Sequence, residues 1–106
     1  MTAYRIGKTA MENTMLILQS DQHDVWFHVN GLPSAHLVYF NSQNDTLKNL
    51  RKNNIIYQMA LELKKSTKYK KIPNIEIIYA HVKDITTSTK PGLVHINPKH
   101  VNIITV

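Results

Sequence analysis

Between Asp24 and Phe40, DVWFHVNGLPSAHLVYF, the chain gathers its one tryptophan, both phenylalanines and two of its six histidines. Val25, Phe27 and Val29 alternate with Trp26, His28 and Asn30 at the period of a strand, so an indole, an imidazole and a carboxamide share one face. Such a face has two uses. Left open, it stacks nucleobases on Trp26 and offers His28 as a polar contact; covered, it packs both rings and satisfies their nitrogens by hydrogen bonds. Phe27, on the other face, is read as core.

Other reactive residue types do not assemble into a catalytic pattern. Ser34 and His36 are close in sequence but lack a Gly-x-Ser-x-Gly elbow, and a turn serine beside an interior histidine accounts for both. Capping and turn roles suffice for Glu12 and Asp24. His23 and His28, like His95 and His100, are spaced across strands and turns with no cysteine nearby, which argues against a metal site. Gly7, Gly31 and Gly92 are isolated, so no glycine loop cradles a phosphate. Neither an enzyme nor a cofactor is expected.

Charge is the second signal. From Asp45 to Lys71 there are eight basic residues (Lys48, Arg51, Lys52, Lys64, Lys65, Lys68, Lys70 and Lys71) against two acidic ones, Asp45 and Glu62. The remaining chain carries five of each sign, so the whole net charge of +6 lies in that segment. A localised basic surface suits a polyanion, with each lysine contacting a phosphate as a point charge; a solvated helix end is the plainer explanation. Anionic lipid is a weaker candidate, because no apolar insertion face adjoins the lysines.

At 106 residues and 42% hydrophobic, the sequence is read as one domain, 1–106, with enough apolar material for a core. It has no cysteine, which suits a reducing compartment. The start, MTAYRIGKTAMEN, has no apolar signal region, and no apolar run approaches a membrane span. The expected location is cytoplasmic, with no membrane partner.

The elements that must hold these residues can be read in order. Thr2 to Lys8 is a short strand with Tyr4 and Ile6 on one side. Thr9 caps a helix from about Ala10 to Gln19, with Glu12 completing a capping box and Met11, Met15 and Leu18 as its apolar stripe, which Met15, Leu16 and Ile17 broaden. Asn30–Gly31 and Pro33 separate the Trp26 strand from a second one over Ala35 to Phe40. Asp45 is expected to cap a helix through Leu47, Leu50, Ile55, Ile56, Met59, Ala60 and Leu63, with Asn53–Asn54 as a split point and Lys64 to Lys71 at its C-terminal end.

Ile75 to Ala80 is a strand with apolar residues on both faces, hence central. Thr86 to Thr89 is a loop and Lys90–Pro91–Gly92 a turn. Leu93–Ile96 and Val101–Val106 are expected to form a hairpin around Asn97–Pro98–Lys99. The sum is α+β: a five- to six-stranded, mostly antiparallel sheet with two helices packed on one face.

Four blocks also carry a resemblance. The stretch DVWFHV with the later Ser34–Ala35–His36, the run Ile6–Gly7–Lys8–Thr9–Ala10–Met11–Glu12–Asn13, the strand Ile75–Ala80 and Lys90–Pro91–Gly92–Leu93–Val94 together resemble the NFACT-R domain, in family order and over nearly the whole chain. Thr14 departs from that pattern, which usually has Asp. NFACT-R is the RNA-binding-type module of the NFACT proteins of ribosome-associated quality control, and occurs in smaller proteins with a coiled-coil tail. The sequence is read as a stand-alone copy without the family's other domains.

The resemblance implies binding of structured RNA, tRNA or ribosomal RNA, with the ribosome or ribosome-bound proteins as further partners. Arg51, Lys52, Lys64, Lys65, Lys68, Lys70, Lys71 and Lys8 are the expected nucleic-acid contacts, and Asn13, Trp26, His28, Ser34 and His36 the expected motif surface. The alternative is a protein-interaction module that docks a peptide or ribosomal protein on the Trp26–His36 surface.

Overall fold

Val25, Phe27 and Val29 point to one side of their strand and Trp26 to the other, and all four are at most 1% exposed. Burial on both sides requires this strand, β2 (Val25–Val29), to lie inside a sheet. The computed structural model describes residues 3–106 and places it there. The main sheet also contains β1 (Tyr4–Gly7), β3 (His36–Tyr39), β4 (Glu76–His81) and β7 (Asn102–Thr105), in the order β1-β3-β2-β4-β7, every pair antiparallel. Trp26 lies between Val38 and Ala80, and Phe27 between Leu37 and Tyr79. The described part of the first strand begins at Tyr4; Thr2, the expected start, lies outside the described residues.

On the Phe27 face, α2 (Leu47–Lys52) and α3 (Ile55–Lys65) contribute Leu50, Ile56, Met59, Ala60 and Leu63 to a core with Val25, Phe27, Leu37, Ile77 and Tyr79. On the Trp26 face, α1 (Ala10–Leu18) packs Leu16 and Ile17 onto Trp26, Val38 and Ala80. A second sheet of two strands, β5 (Ile85–Thr87) and β6 (Val94–Ile96), adds Ile85, Val94 and Ile96 to that side. The protein is α+β with a mostly antiparallel sheet. Its helices, expected together on one face, divide between the two, because Trp26 and Val38 make the second face too apolar to leave wet.

Several local expectations hold. Thr9 Oγ1 accepts from the Glu12 N–H at 3.1 Å, and Glu12 Oε1 accepts from the Thr9 N–H at 3.2 Å, so the capping box is complete. The helical run 47–65 does split at Asn53–Asn54: Asn54 takes the left-handed conformation, φ 66°, which asparagine tolerates better than most residues. β4 is an interior strand, as the apolar residues on its two faces require.

Others are corrected. The inward face of α1 is Asn13, Leu16 and Ile17, whereas Met11, Met15 and Leu18 are 62%, 42% and 61% exposed. Periodicity identified a helix with a broad apolar face, and contact with Trp26 and Val38 selects its Leu16–Ile17 side. Thr46 caps α2, accepting from the Asn49 N–H; the Asp45 N–H donates to Asn41 instead. The third helix ends at Lys65 with Ser66 as its C-cap, so Lys68, Lys70 and Lys71 sit on a turn and not on a helix end.

The expected C-terminal hairpin does not form. β6 pairs with β5, part of which was expected as loop, and β7 crosses to pair with β4. A short 3-10 turn over Pro98–His100 redirects the chain, and the open edge of β4 offers a partner that the three residues of β6 do not match in length.

Two-sided burial sets the expected cost of truncation. Phe27→Ala should cost about 3–5 kcal/mol and Leu16→Ala about 2–5 kcal/mol, one from each core. Exposed Met11→Ala and Leu18→Ala should stay within about 0.5 kcal/mol. Urea unfolding checks all four; a small loss for Leu16→Ala would mean that the second face is not core.

Candidate nucleic-acid interface

Antiparallel pairing fixes where the two motif-bearing loops meet. Gly7 faces His36 across β1 and β3, so the next residue, Lys8, emerges beside Ala35 and Ser34 at the same end of the sheet. The turn after α3 reaches that end too, because the Tyr69 hydroxyl donates to the Pro33 carbonyl at 2.9 Å. Between these segments lies an open groove of about 400 Å³. Lys8 lines it from the end of β1, Pro33, Ser34 and Ala35 from the loop between β2 and β3, and Ser66, Thr67, Lys68 and Tyr69 from the turn after α3. Lys68 Nζ lies 5.6 Å from the centre of the Tyr69 ring, within cation–π range.

Three expected contacts, Lys8, Ser34 and Lys68, therefore converge from segments far apart in sequence. Lys70 and Lys71 are exposed on the same post-helical segment, and Lys65, the last residue of α3, is exposed beside it. Lys64 is partly buried and donates to the Val106 carbonyl at 2.9 Å, which ties α3 to the strand end. Lys65 makes the one ion pair among the described residues, 3.4 Å to Glu62, with its side chain 71% exposed; such a pair contributes little. Arg51 and Lys52 are exposed at the end of α2, and Arg51 Nη1 donates to the Tyr79 hydroxyl at 3.2 Å. The eleven residues of α3, about 16 Å of helix, separate Arg51 and Lys52 from the post-helical lysines. The basic segment thus forms two patches, and only the post-helical one adjoins the groove.

The expected motif surface is mostly interior. Trp26 is 1% exposed and His36 3%, so neither stacks on a base nor docks a peptide. The indole N–H donates to His36 Nδ1 at 3.1 Å, which places the proton of the neutral imidazole on Nε2. His28 is half-buried and lies parallel to the indole, ring centres 5.7 Å apart, while meeting His36 edge-on at 4.7 Å. Burial lowers the pKa of His28, opposed by a hydrogen bond to the Val29 backbone. Burial, and then the neighbouring His28, pull His36 down to about 4.

Asn13 is buried with its Oδ1 against Gly7, where any Cβ would collide with it, and this oxygen has no hydrogen-bond partner among the described residues. Ser34 Oγ accepts from the Val29 N–H and donates to the Ala35 carbonyl, bracing the loop from inside. Asp24 likewise accepts from the Asp21 and Asn41 N–H groups, and Glu12 accepts from the Lys8 and Thr9 N–H groups, so both carboxylates serve the turn and capping roles expected of them. Among the described residues, no three His, Asp or Glu side chains gather closely enough to hold a metal ion. No helix is long and apolar enough to cross a membrane.

The Lys90–Pro91–Gly92 turn packs on the start of α1. Gly92 has φ 80° and lies so close to Ala10 that a side chain would crowd it, and its N–H donates to Thr14 Oγ1 at 2.8 Å. Pro33, Ser66, Thr67 and Tyr69 were not anticipated in the groove. Their only signal was adjacency in sequence to Ser34 or to Lys68.

No protein-family model matches the chain. Over 74 residues, 70% of its length, it is 34% identical to coiled-coil domain-containing protein 25 of Danio rerio. The chain spans 36% of that relative's length. Its fold is similar to the solved C-terminal part of the fibronectin/fibrinogen-binding protein from Streptococcus suis, with a TM-score of 0.80 over 97% of this chain and 40% of that one. At 18% identity this likeness concerns the fold alone.

The buried imidazole couples stability to pH. His36 is neutral when folded down to about 4 but titrates near 6.5 when unfolded. The unfolded chain therefore binds the extra proton first, and stability should fall as pH drops from about 6.5 to about 4. His36 accounts for roughly 3 kcal/mol of that loss. Denaturant unfolding across this range should show a shallower acid loss for His36→Gln than for the parent protein. Parallel profiles would mean that His36 is not held neutral.

Proposed function

We propose that this chain is an NFACT-R-like module that binds structured RNA, such as tRNA or ribosomal RNA, in translation or ribosome quality control. The observation that carries this reading is the basic patch at the end of α3 and in the turn after it: Lys65, Lys68, Lys70 and Lys71 are exposed, Lys65 with a weak acidic partner, and Lys68 lines a groove that Lys8 lines from another segment. Unneutralised ammonium groups on one surface suit the closely spaced phosphates of a nucleic acid. Contact of Gly92 with Ala10 adds support, since two blocks that resemble the family pattern separately touch one another there. On this reading the domain works in the cytoplasm, alongside the ribosome and ribosome-bound proteins, and has no catalytic step.

Binding through phosphates predicts a steep salt dependence and little sequence preference. Replacing Lys65, Lys70 and Lys71 with Gln should weaken binding of a labelled tRNA. It should also reduce the slope of log K against log salt by about 0.7–0.9 for each lost phosphate contact. Arg51→Gln with Lys52→Gln should do less, because those side chains lie at the far end of α3. Fluorescence anisotropy across a salt series measures both effects. An unchanged slope in the folded lysine variant would overturn the proposal. Salt-insensitive binding of a ribosomal protein or peptide instead would favour the protein-interaction alternative.

A further inference from the structure

We infer that the groove between Lys8 and Lys68 is a subsite for one ribonucleotide unit, its phosphate between the two ammonium groups and its sugar against the hydroxyl wall; this rests on the RNA-binding reading above. Its volume of about 400 Å³ is in the range of small-ligand sites and too small for a duplex. Lys8 and Lys68 line it from segments far apart in sequence, and no carboxylate lines it. Nearby Glu12 already accepts from the Lys8 and Thr9 N–H groups, so it is turned to the backbone.

The hydroxyls narrow the ligand further. Ser34, Ser66 and Thr67 each donate their single proton to a carbonyl, of Ala35, Leu63 and Lys64 respectively. With those protons engaged, Lys8 and Lys68 are the cationic groups left to hold a phosphate. Each hydroxyl oxygen keeps at least one lone pair, since Ser34 accepts one N–H, Thr67 accepts one, and Ser66 accepts none among the described groups. This wall therefore accepts hydrogen bonds from a ligand, of which the ribose of AMP supplies two, from its 2′- and 3′-hydroxyls, and the deoxyribose of dAMP only one. Tyr69 is 8% exposed, its ring is flanked by Lys68 and its hydroxyl is bound to Pro33, so it offers no stacking face. The subsite should hold phosphate and sugar and be indifferent to the base.

The test is titration of the 15N-labelled full chain with AMP, CMP, dAMP and inorganic phosphate, followed by amide shifts. AMP and CMP should bind equally and shift Ser34, Ala35, Ser66 and Thr67, with dAMP and inorganic phosphate weaker. Lys8→Gln and Lys68→Gln should each weaken AMP severalfold, whereas Lys70→Gln with Lys71→Gln should leave AMP unchanged while weakening tRNA. Absence of shifts, shifts that map elsewhere, or shifts that persist in both groove variants would overturn the subsite. Equal binding of AMP and dAMP would overturn the ribose contact. Loss of tRNA binding in the Lys70 and Lys71 variant would still support the broader function if the subsite failed. Groove shifts with AMP, in a protein that binds no RNA, would support the subsite and remove that function.

Discussion

Burial of β2 on both faces is the constraint on which the rest of the structure depends. Trp26 and Phe27 are adjacent and point to opposite sides, and each is almost wholly removed from water. Each large aromatic face needs its own cover, and exposure of either would forfeit a few kcal/mol. On one side α2 and α3 supply it; on the other α1 and the β5–β6 pair do. Chain crossovers that look arbitrary along the sequence, such as the departure of β7 from β6, complete a sheet with two dry faces.

That cover decides what the polar residues near Trp26 can do. The indole N–H needs an acceptor once buried, and His36 provides it at the cost of its own basicity. Asn13, Gly7 and His28 fill the space around that pair. These residues pack the sheet end against α1. Ser34 belongs to both worlds, since its oxygen braces the loop after β2 while the residue also lines the groove.

The exposed basic side chains are gathered instead at the rim, where β1, the β2–β3 loop and the turn after α3 end together. The flexible ammonium groups there stay solvated and cost little to place, while the loops beneath them are fixed by the Tyr69–Pro33 bond and the α3 cap. A rigid base under mobile charges suits a phosphate backbone, which presents charge at regular spacing without demanding one fixed geometry.

By itself the sequence determined the α+β class, the strands around Phe27 and Ile77, the capping box at Thr9, the helix break at Asn54 and the location of the excess charge. Each is a local property: alternation, a three-residue capping interval, a tolerance of left-handed backbone, a count of side chains. Only the tertiary structure decided which face of α1 turns inward, that Trp26 is covered, that Thr46 caps in place of Asp45, and that the C-terminal strand joins β4. Those outcomes depend on competition between surfaces distant in sequence, and two sides of one broad apolar helix face or two sheet edges of similar quality cannot be ranked without their partners. The groove is the clearest case. Lys8, Ser34 and Lys68 are neighbours only because antiparallel pairing of β1 with β3 and one hydrogen bond from Tyr69 bring three loops to the same end of the sheet.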